Sequence, residues 1–427
     1  MTETVARTTA ETIFTYAAPR LKFGSGASSE IAFEVRALGA HRVLVVTDEG
    51  VAATGHPARI AAELEAAGCE TAVFSAVHVE PTDASMLAAI DWAREHGPFD
   101  AVVAVGGGST IDTAKAVNLL TTNDGELGDY LNAPVGAARA PSRSLLPLIA
   151  VPTTTGTGSE STTICVLDVL ALKVKTGISH PALRPTVAVV DPDLTMTQPP
   201  GVTAAAGLDI LCHALESYTA RPYTAYPRKR PEERVPYCGA NPIADVFCEK
   251  SIGLLARSFR TAFRDGDDVQ ARQDMALAAT LAGLGFGNAG VHIPHANAYP
   301  IAGNVRDYRP AGYPGEEPLV PHGMAVSLTA PAAFELTYAS APERHDRIAD
   351  LLSDGRSVDG PAETRLSGLV RDLMTDLELP TRLGDVGYDS GDIATLVEGS
   401  LRQQRLLATA PLDVGPDELR GVFRASL

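Results

Sequence analysis

Between residues 42 and 190, short β-branched apolar runs alternate with amphipathic helical stretches, and beyond Asp191 such runs all but stop. The runs lie at 42–47, 71–77, 101–105, 146–151 and 186–190, with segments such as HPARIAAELEAAG and DASMLAAIDWAREHG between the early ones. Apolar strands separated by helices belong to a parallel sheet covered on both faces. Past the Pro-rich DPDLTMTQPPGV, Ala/Leu-rich segments of helical period take over at 243–262, 269–284, 343–352 and 363–377. A chain of 427 residues also exceeds what one hydrophobic core usually serves. The expected architecture is an α/β domain over residues 1–193 and an all-α domain over 194–427. Two loop-like insertions rich in Pro, Tyr and Arg, at 220–242 and 303–321, interrupt the helical half.

A formal net charge of -17 with 35 Lys and Arg argues against nucleic acid and anionic membranes as partners. No stretch approaches the length of a membrane span. Five scattered cysteines without a C-x-x-C pair fit a reducing compartment rather than a disulfide framework. The amino terminus lacks a continuous apolar segment. Arg7 and the Thr content faintly suggest a transit peptide, but Glu3 and Glu11 count against one, so a cytoplasmic location is expected. An apolar helical domain of this size is expected to pair into a homo-oligomer.

AVVAVGGGSTIDTAK (101–115) runs from a strand through Gly106, Gly107 and Gly108 into a helix opening near Ser109. Glycines admit a phosphate close to the backbone, and the helix start offers unpaired N–H groups to an anion. A tight turn needing positive φ is an equally good account of three glycines, and the run is not the GxGxxG fingerprint. VPTTTGTGSE (151–160) adds the hydroxyls of Thr153, Thr154, Thr155, Thr157 and Ser159, suited to ribose and pyrophosphate or to a polar turn. Asp48, just after the first run, sits where a carboxylate would meet an adenosine ribose and favour NAD over NADP. For a lone Asp, a turn role carries more weight.

In GLDILCHALESY, Asp209 and His213 stand four residues apart, on one helix face. Such a pair is more often structural than metal-binding. His295 in VHIPHANAYPIAG and His322 in VPHGMAV shift the balance, because one carboxylate and three imidazoles suit Fe(II), Zn(II), Co(II) or Mn(II). His292 rivals His295, and Pro294 between them argues against continuous helix through both.

These motifs, in this order along nearly the whole chain, resemble the iron-containing (group III) alcohol dehydrogenases. The resemblance implies a dinucleotide-binding α/β domain meeting a helical metal domain of the dehydroquinate synthase-like type, with the active site between them. The long run LDILCHALESYTARPYT, GFGNAGVHIPHANAYPIAG and both insertions are most similar to the hydroxyacid-oxoacid transhydrogenase branch. That branch implies oxidation of 4-hydroxybutyrate to succinic semialdehyde and reduction of 2-oxoglutarate to 2-hydroxyglutarate, with the nicotinamide retained throughout. Carried over, Asp209, His213, His295 and His322 become ligands of Fe(II) or another divalent metal such as Zn. Gly107, Gly108, Ser109 and Asp112 hold the NAD pyrophosphate. Thr153, Thr154 and Thr157 line the cofactor, Asp48 matches the acidic position linked to NAD preference, and Lys175 approaches the nicotinamide ribose.

Two positions depart from the family pattern. Glu80 replaces a common Asn before Pro81, and Tyr299 replaces a second His four residues after His295, so the proton relay falls either to the Tyr299 hydroxyl or to water. Acid substrates need a cation, and the insertions offer Arg221, Arg228, Lys229, Arg230, Arg306 and Arg309 as carboxylate clamps. Solvated loop charge is the plainer account of most of them. An ordinary NAD-dependent alcohol dehydrogenase, a metal- and NAD-dependent lyase or cyclase of the same architecture, and a binding protein are the competing functions. Too few further lysines near the metal residues rank the cyclase low.

Overall fold

The computed structural model describes residues 9–172, 174–313, 317–358 and 360–427. Among the described residues eight strands occupy the first half: β1 (Arg20–Phe23), β2 (Arg42–Val46), β3 (Glu70–Phe74), β4 (Ala101–Gly106), β5 (Leu148–Pro152), β6 (Ile164–Val169), β7 (Val174–Ser179) and β8 (Val187–Val190). Six form one sheet in the order β1–β8–β5–β4–β2–β3, every pairing parallel. Helices α1 (His56–Ala66), α2 (Asp83–His96) and α3 (Gly108–Thr122) flank it. Ile60 and Leu64 of α1 close over one face, while Met86 and Ile90 of α2 and Ile111 of α3 close over the other. Strands β4, β5 and β8 are therefore buried along their whole length and read in the sequence as unbroken apolar runs.

Three strands were not expected. β1 is an edge strand with mostly exposed side chains, so RLKF carries no apolar signature. β6 and β7 form a separate antiparallel hairpin, and the paired Asp168 and Lys175 interrupt its apolar pattern.

The helical half contains α4 (Pro200–Thr219), α5 (Pro242–Arg264), α6 (Val269–Ala289), α7 (Ile293–Gly303), α8 (His322–Thr337), α9 (Pro342–Ser353), α10 (Ala362–Asp376), α11 (Ile393–Leu401) and α12 (Pro416–Ala425). α4 is apolar nearly all round and runs through the middle of this core, as a helix buried on every side must. The axes of α6 and α7 differ by 104°. Gly290 makes that bend, with φ +100 and a position where an added Cβ would lie 3.0 Å from Thr409 and 3.1 Å from Tyr237. Among the described residues no single helix is long and apolar enough to cross a membrane.

Candidate active site

β3 lies on one side of β2 and β4 on the other, so the chain reverses its winding between β2 and β4. Crevices at the carboxyl ends of strands at such a point are where open α/β sheets take ligands. Asp48 follows β2, and Gly107 and Gly108 follow β4. None of the three glycines at 106–108 has positive φ. Their reason is close approach instead: a Cβ on Gly106 would lie 2.3 Å from Thr110 Oγ1, on Gly107 3.0 Å from Thr154 Oγ1, and on Gly108 2.6 Å from Thr157. Two polar loops thus close on each other around a narrow cradle.

Thr154 and Thr157 are partly open there, whereas Thr153 is buried with an unpartnered hydroxyl. Ser109 lines the cleft and accepts a hydrogen bond from the Glu80 amide at 3.1 Å. Asp48 caps the helix after β2, accepting from the Val51 amide, and accepts from Thr110 Oγ1. Asp112 accepts from the Ser159 hydroxyl and the Val166 amide, so its carboxylate ties both loops to the β6–β7 hairpin. Fully buried Lys115, overlooked in the sequence, reinforces this knot by donating to Ser159 O, Ser159 Oγ and Ile164 O at 2.7–2.8 Å. Burial pushes its pKa down, against the opposing pull of Asp112.

The same cleft extends to the helical half. Asp209 and His213 project from α4. His295 stands in the first turn of α7, and His322 opens α8. Three imidazole Nε2 atoms face one carboxylate oxygen: Asp209 Oδ1 lies 3.8 Å from His213, 3.5 Å from His295 and 3.8 Å from His322. A tetrahedral centre with bonds of about 2.1 Å separates its ligands by about 3.4 Å. Asp209, His295 and His322 form the tightest group, their ligand atoms all within 4.8 Å of one another. His213 stands at its edge, stacked on His295 and Phe286. Asp209 Oδ1 and His295 Nε2 are buried and lack any hydrogen-bond partner. Buried polar atoms left unpaired and aimed at a common point fit a divalent cation. Gly323 permits the approach, since a Cβ there would sit 2.0 Å from Ala205 O and 2.7 Å from Asp209 Cβ.

Glu216, one turn beyond His213 and completely buried, was not anticipated. Its carboxylate accepts from His295 Nδ1 at 2.6 Å and from the His292 amide at 2.6 Å. It therefore orients the His295 ring and caps the start of α7 with one group. His292, the rival ligand, ends outside the cluster: it precedes the helix, and its Nε2 meets Thr219 Oγ1 at 3.1 Å.

Burial pushes His213 down to about 3, and the neighbouring imidazoles add to that. Burial also lowers His322. Both therefore present neutral lone pairs. For His295 burial acts downward but Glu216 and Asp209 outweigh it, raising it to about 9. Burial would raise the Asp209 pKa, but the three imidazoles hold it below the ordinary range.

Glu80, Lys175, Tyr299 and Arg405 complete the cleft. Glu80 has φ +55, a strained conformation for its type, and accepts from Lys175 Nζ at 2.6 Å. Asp168 takes the same ammonium at 2.9 Å. Tyr299 sits edge-on to His322, and burial raises its pKa, so its phenol stays protonated. None of the six insertion cations lines the cleft. Arg221 pairs with Asp413, Arg230 with Glu232 and Glu233, and Arg306 with Asp392, while Lys229 lies over Tyr226. Arg228 is exposed, and Arg309 donates to the Asp307 carbonyl. Most of them are drawn to acids, rings or carbonyls of their own or neighbouring segments. Three insertion residues, 314–316, lie outside the described residues.

A phosphate-type cradle faces a cluster of three imidazoles and one carboxylate across one cleft, the arrangement of an enzyme that uses a metal and a nucleotide cofactor. Residues 18–192 match the family described as iron-containing alcohol dehydrogenase, and residues 233–427 match the carboxy-terminal part of the Fe-containing alcohol dehydrogenase family. The chain belongs to the iron-containing alcohol dehydrogenase family. That family implies a divalent metal, typically iron, and NAD(H). The chain is 41% identical to the mitochondrial hydroxyacid-oxoacid transhydrogenase of Bos taurus over 425 residues, covering 98% of this chain and 91% of the relative. Identity to the Homo sapiens protein of the same name is 41% over 430 residues, with the same coverage. Among solved structures, a 1,3-propanediol oxidoreductase superposes with a TM-score of 0.84 at 30% identity, covering 97% of this chain and 100% of that one. Alcohol dehydrogenase from Oenococcus oeni gives 0.83 at 27% identity, with 97% and 100% covered.

Both transhydrogenase relatives are named as mitochondrial, which overturns the expectation of a cytoplasmic protein. Glu11, which weighed against a targeting segment, is a buried part of the fold. It is paired with Arg234 at 3.0 Å and carries no information about a leader. Glu3 and Arg7 lie outside the described residues.

Proposed function

We propose that this chain is a hydroxyacid-oxoacid transhydrogenase in which Asp209, His213, His295 and His322 hold Fe(II), with Zn(II) as the alternative metal. The observation that supports it most directly is the single cleft joining the unpaired Asp209–His295 cluster to the 106–109 cradle. Residues 1–193 serve as the NAD-binding domain and 194–427 as the metal domain. Gly107, Gly108 and Ser109 receive the pyrophosphate, and Thr153, Thr154 and Thr157 line its path. Asp112 holds those two loops together, Asp48 meets the adenosine ribose, and Lys175 meets the nicotinamide ribose.

A bound divalent metal supplies Lewis acidity for the substrate oxygen, and NAD supplies the hydride acceptor. The chain's own residues do the rest. Glu216 fixes the His295 ring through Nδ1, leaving Nε2 directed at Asp209. Phe286, Val291 and Leu406 give the cleft apolar walls that exclude water. Tyr299, with its phenol protonated, passes a proton between the substrate hydroxyl and solvent. In the full cycle 4-hydroxybutyrate leaves as succinic semialdehyde, and 2-oxoglutarate enters to be reduced to 2-hydroxyglutarate.

The test is to mix the Fe(II)-loaded protein with 4-hydroxybutyrate and 2-oxoglutarate, without added NAD. Repeated turnovers to 2-hydroxyglutarate support the transhydrogenase with captive cofactor. No turnover until NAD is added, with NADH then formed from a simple alcohol, makes it an ordinary alcohol dehydrogenase.

A further inference from the structure

We propose that Arg405, backed by Tyr237, is the carboxylate anchor that makes this cleft take short acids whose carboxylate lies two methylenes from the reacting carbon. The proposal rests on the transhydrogenase reading for its substrate class.

The charges of the cleft single this residue out. Lys175 lines it, but its ammonium is bound by Glu80 and Asp168. Lys115 is enclosed in the loop knot. Arg405 lines the cleft beside Tyr299 and forms no ion pair with any described residue; its guanidinium lies 4.8 Å from the centre of the Tyr237 ring. A guanidinium stacked on an aromatic face keeps its in-plane N–H fork available for a carboxylate. The buried Tyr237 phenol, pushed up to about 12 chiefly by burial, remains a donor beside it. The first insertion thus contributes to the site through its tyrosine and not through its cations.

The anchor is also rigidly spaced from the metal ligands. Arg405 belongs to the short helix Gln404–Leu407. Two residues further on, Thr409 Oγ1 donates to the Val291 carbonyl, in the bend that leads into His295. The Cys238 and Gly239 amides donate to Asn288 and Ala289 carbonyls at the end of α6, fixing Tyr237 against the same bend. Anchor, tyrosine and His295 therefore share one scaffold, which holds them in fixed relation to one another.

The two proposed substrates share one spacing. In 4-hydroxybutyrate, C4 reacts and two methylenes lead to the carboxylate. In 2-oxoglutarate, C2 reacts and two methylenes lead to the C5 carboxylate. One anchor serves both halves of the cycle.

The experiment compares Fe(II)-loaded full-length protein with Arg405→Met, Arg405→Lys and Tyr237→Phe. Calorimetric titration with succinate, an unreactive four-carbon dicarboxylate, gives binding without turnover. Arg405→Met should weaken succinate about 10- to 150-fold, the fold-change of a lost charge-assisted hydrogen bond. With NAD supplied, the ratio of kcat/KM for 4-hydroxybutyrate to that for 1-butanol should fall by the same factor, with Arg405→Lys in between. Equal succinate affinity in Arg405→Met overturns the proposal, as does parallel loss for acid and alcohol or no succinate binding to the parent protein. Should Arg405→Met not fold, an Arg405→Lys variant with unchanged succinate affinity overturns it equally. The transhydrogenase reading fails separately, through a requirement for added NAD, which the titration does not depend on.

Discussion

Replacing Glu216 by Gln keeps the shape of the side chain beneath the metal ligands but substitutes an N–H₂ donor for one carboxylate oxygen. Each oxygen now accepts a hydrogen bond, one from His295 Nδ1 and one from the His292 amide, both at 2.6 Å. The amide N–H of His292 cannot change sign, so the Gln oxygen serves it and the N–H₂ group turns to His295. The imidazole must then accept at Nδ1 and carry its proton on Nε2, the atom 3.5 Å from Asp209 Oδ1. One charge-assisted hydrogen bond is lost, about 1.5–3 kcal/mol of stability. A ligand with its lone pair on the wrong nitrogen should lower metal affinity about 10- to 100-fold. Equilibrium dialysis against buffered Co(II) under nitrogen measures the affinity, and urea denaturation of the metal-free protein measures the stability. Metal affinity within threefold of the parent, alongside a loss of stability, would reduce Glu216 to a helix cap and refute its orienting role.

Gly323→Ala forces a methyl to 2.0 Å from a backbone carbonyl of α4. Backbone cannot yield as a side chain can, so the cost should reach about 3 kcal/mol by chemical denaturation, with metal lost in parallel. Lys115→Met leaves the Asp112 carboxylate without its buried cation and should cost about 3–5 kcal/mol; thermal melting of the purified variant tests this. The metal-free protein should be most stable near pH 6.5–7. His295 holds its proton up to about pH 9 in the folded chain, so its contribution is complete below about 6.5 and disappears as pH rises through 9. His213 at about 3 and His292 at about 4 are buried neutral, so acid below 6.5 favours the unfolded chain, which takes those protons. A urea midpoint that stays flat from pH 5 to 9 would contradict both assignments.

Much of the site was legible because its signals are local. The strands leading to the cradle are doubly covered and therefore apolar throughout. Asp209 and His213 share a helix face by spacing alone, and Pro294 marked the break that separates His292 from His295. Glu216 was equally accessible: it lies three residues after His213, on the same helix face one turn further on. Arg405 had no such signal. It lies in a short, unremarkable RQQR segment, and only folding brings it to Tyr237, far away in the sequence.

The glycines mark the same division. In sequence, the run at 106–108 pointed to a tight turn needing positive φ or to phosphate approach. The structure shows ordinary φ values, with Thr110 of the following helix against Gly106 and Thr154 and Thr157 of a distant loop against Gly107 and Gly108. For most cations of the insertions solvated loop charge was the plainer account, and none lines the cleft, Arg221, Arg230 and Arg306 being paired with acids. Periodicity, caps and residue type are written in a few consecutive residues, so the sequence alone determined the layering and pointed to the His and Asp residues that meet in the cleft. Which cation faces the substrate, which histidine turns inward and why a glycine is required depend on atoms brought together from remote parts of the chain. Only the packed tertiary structure decided those.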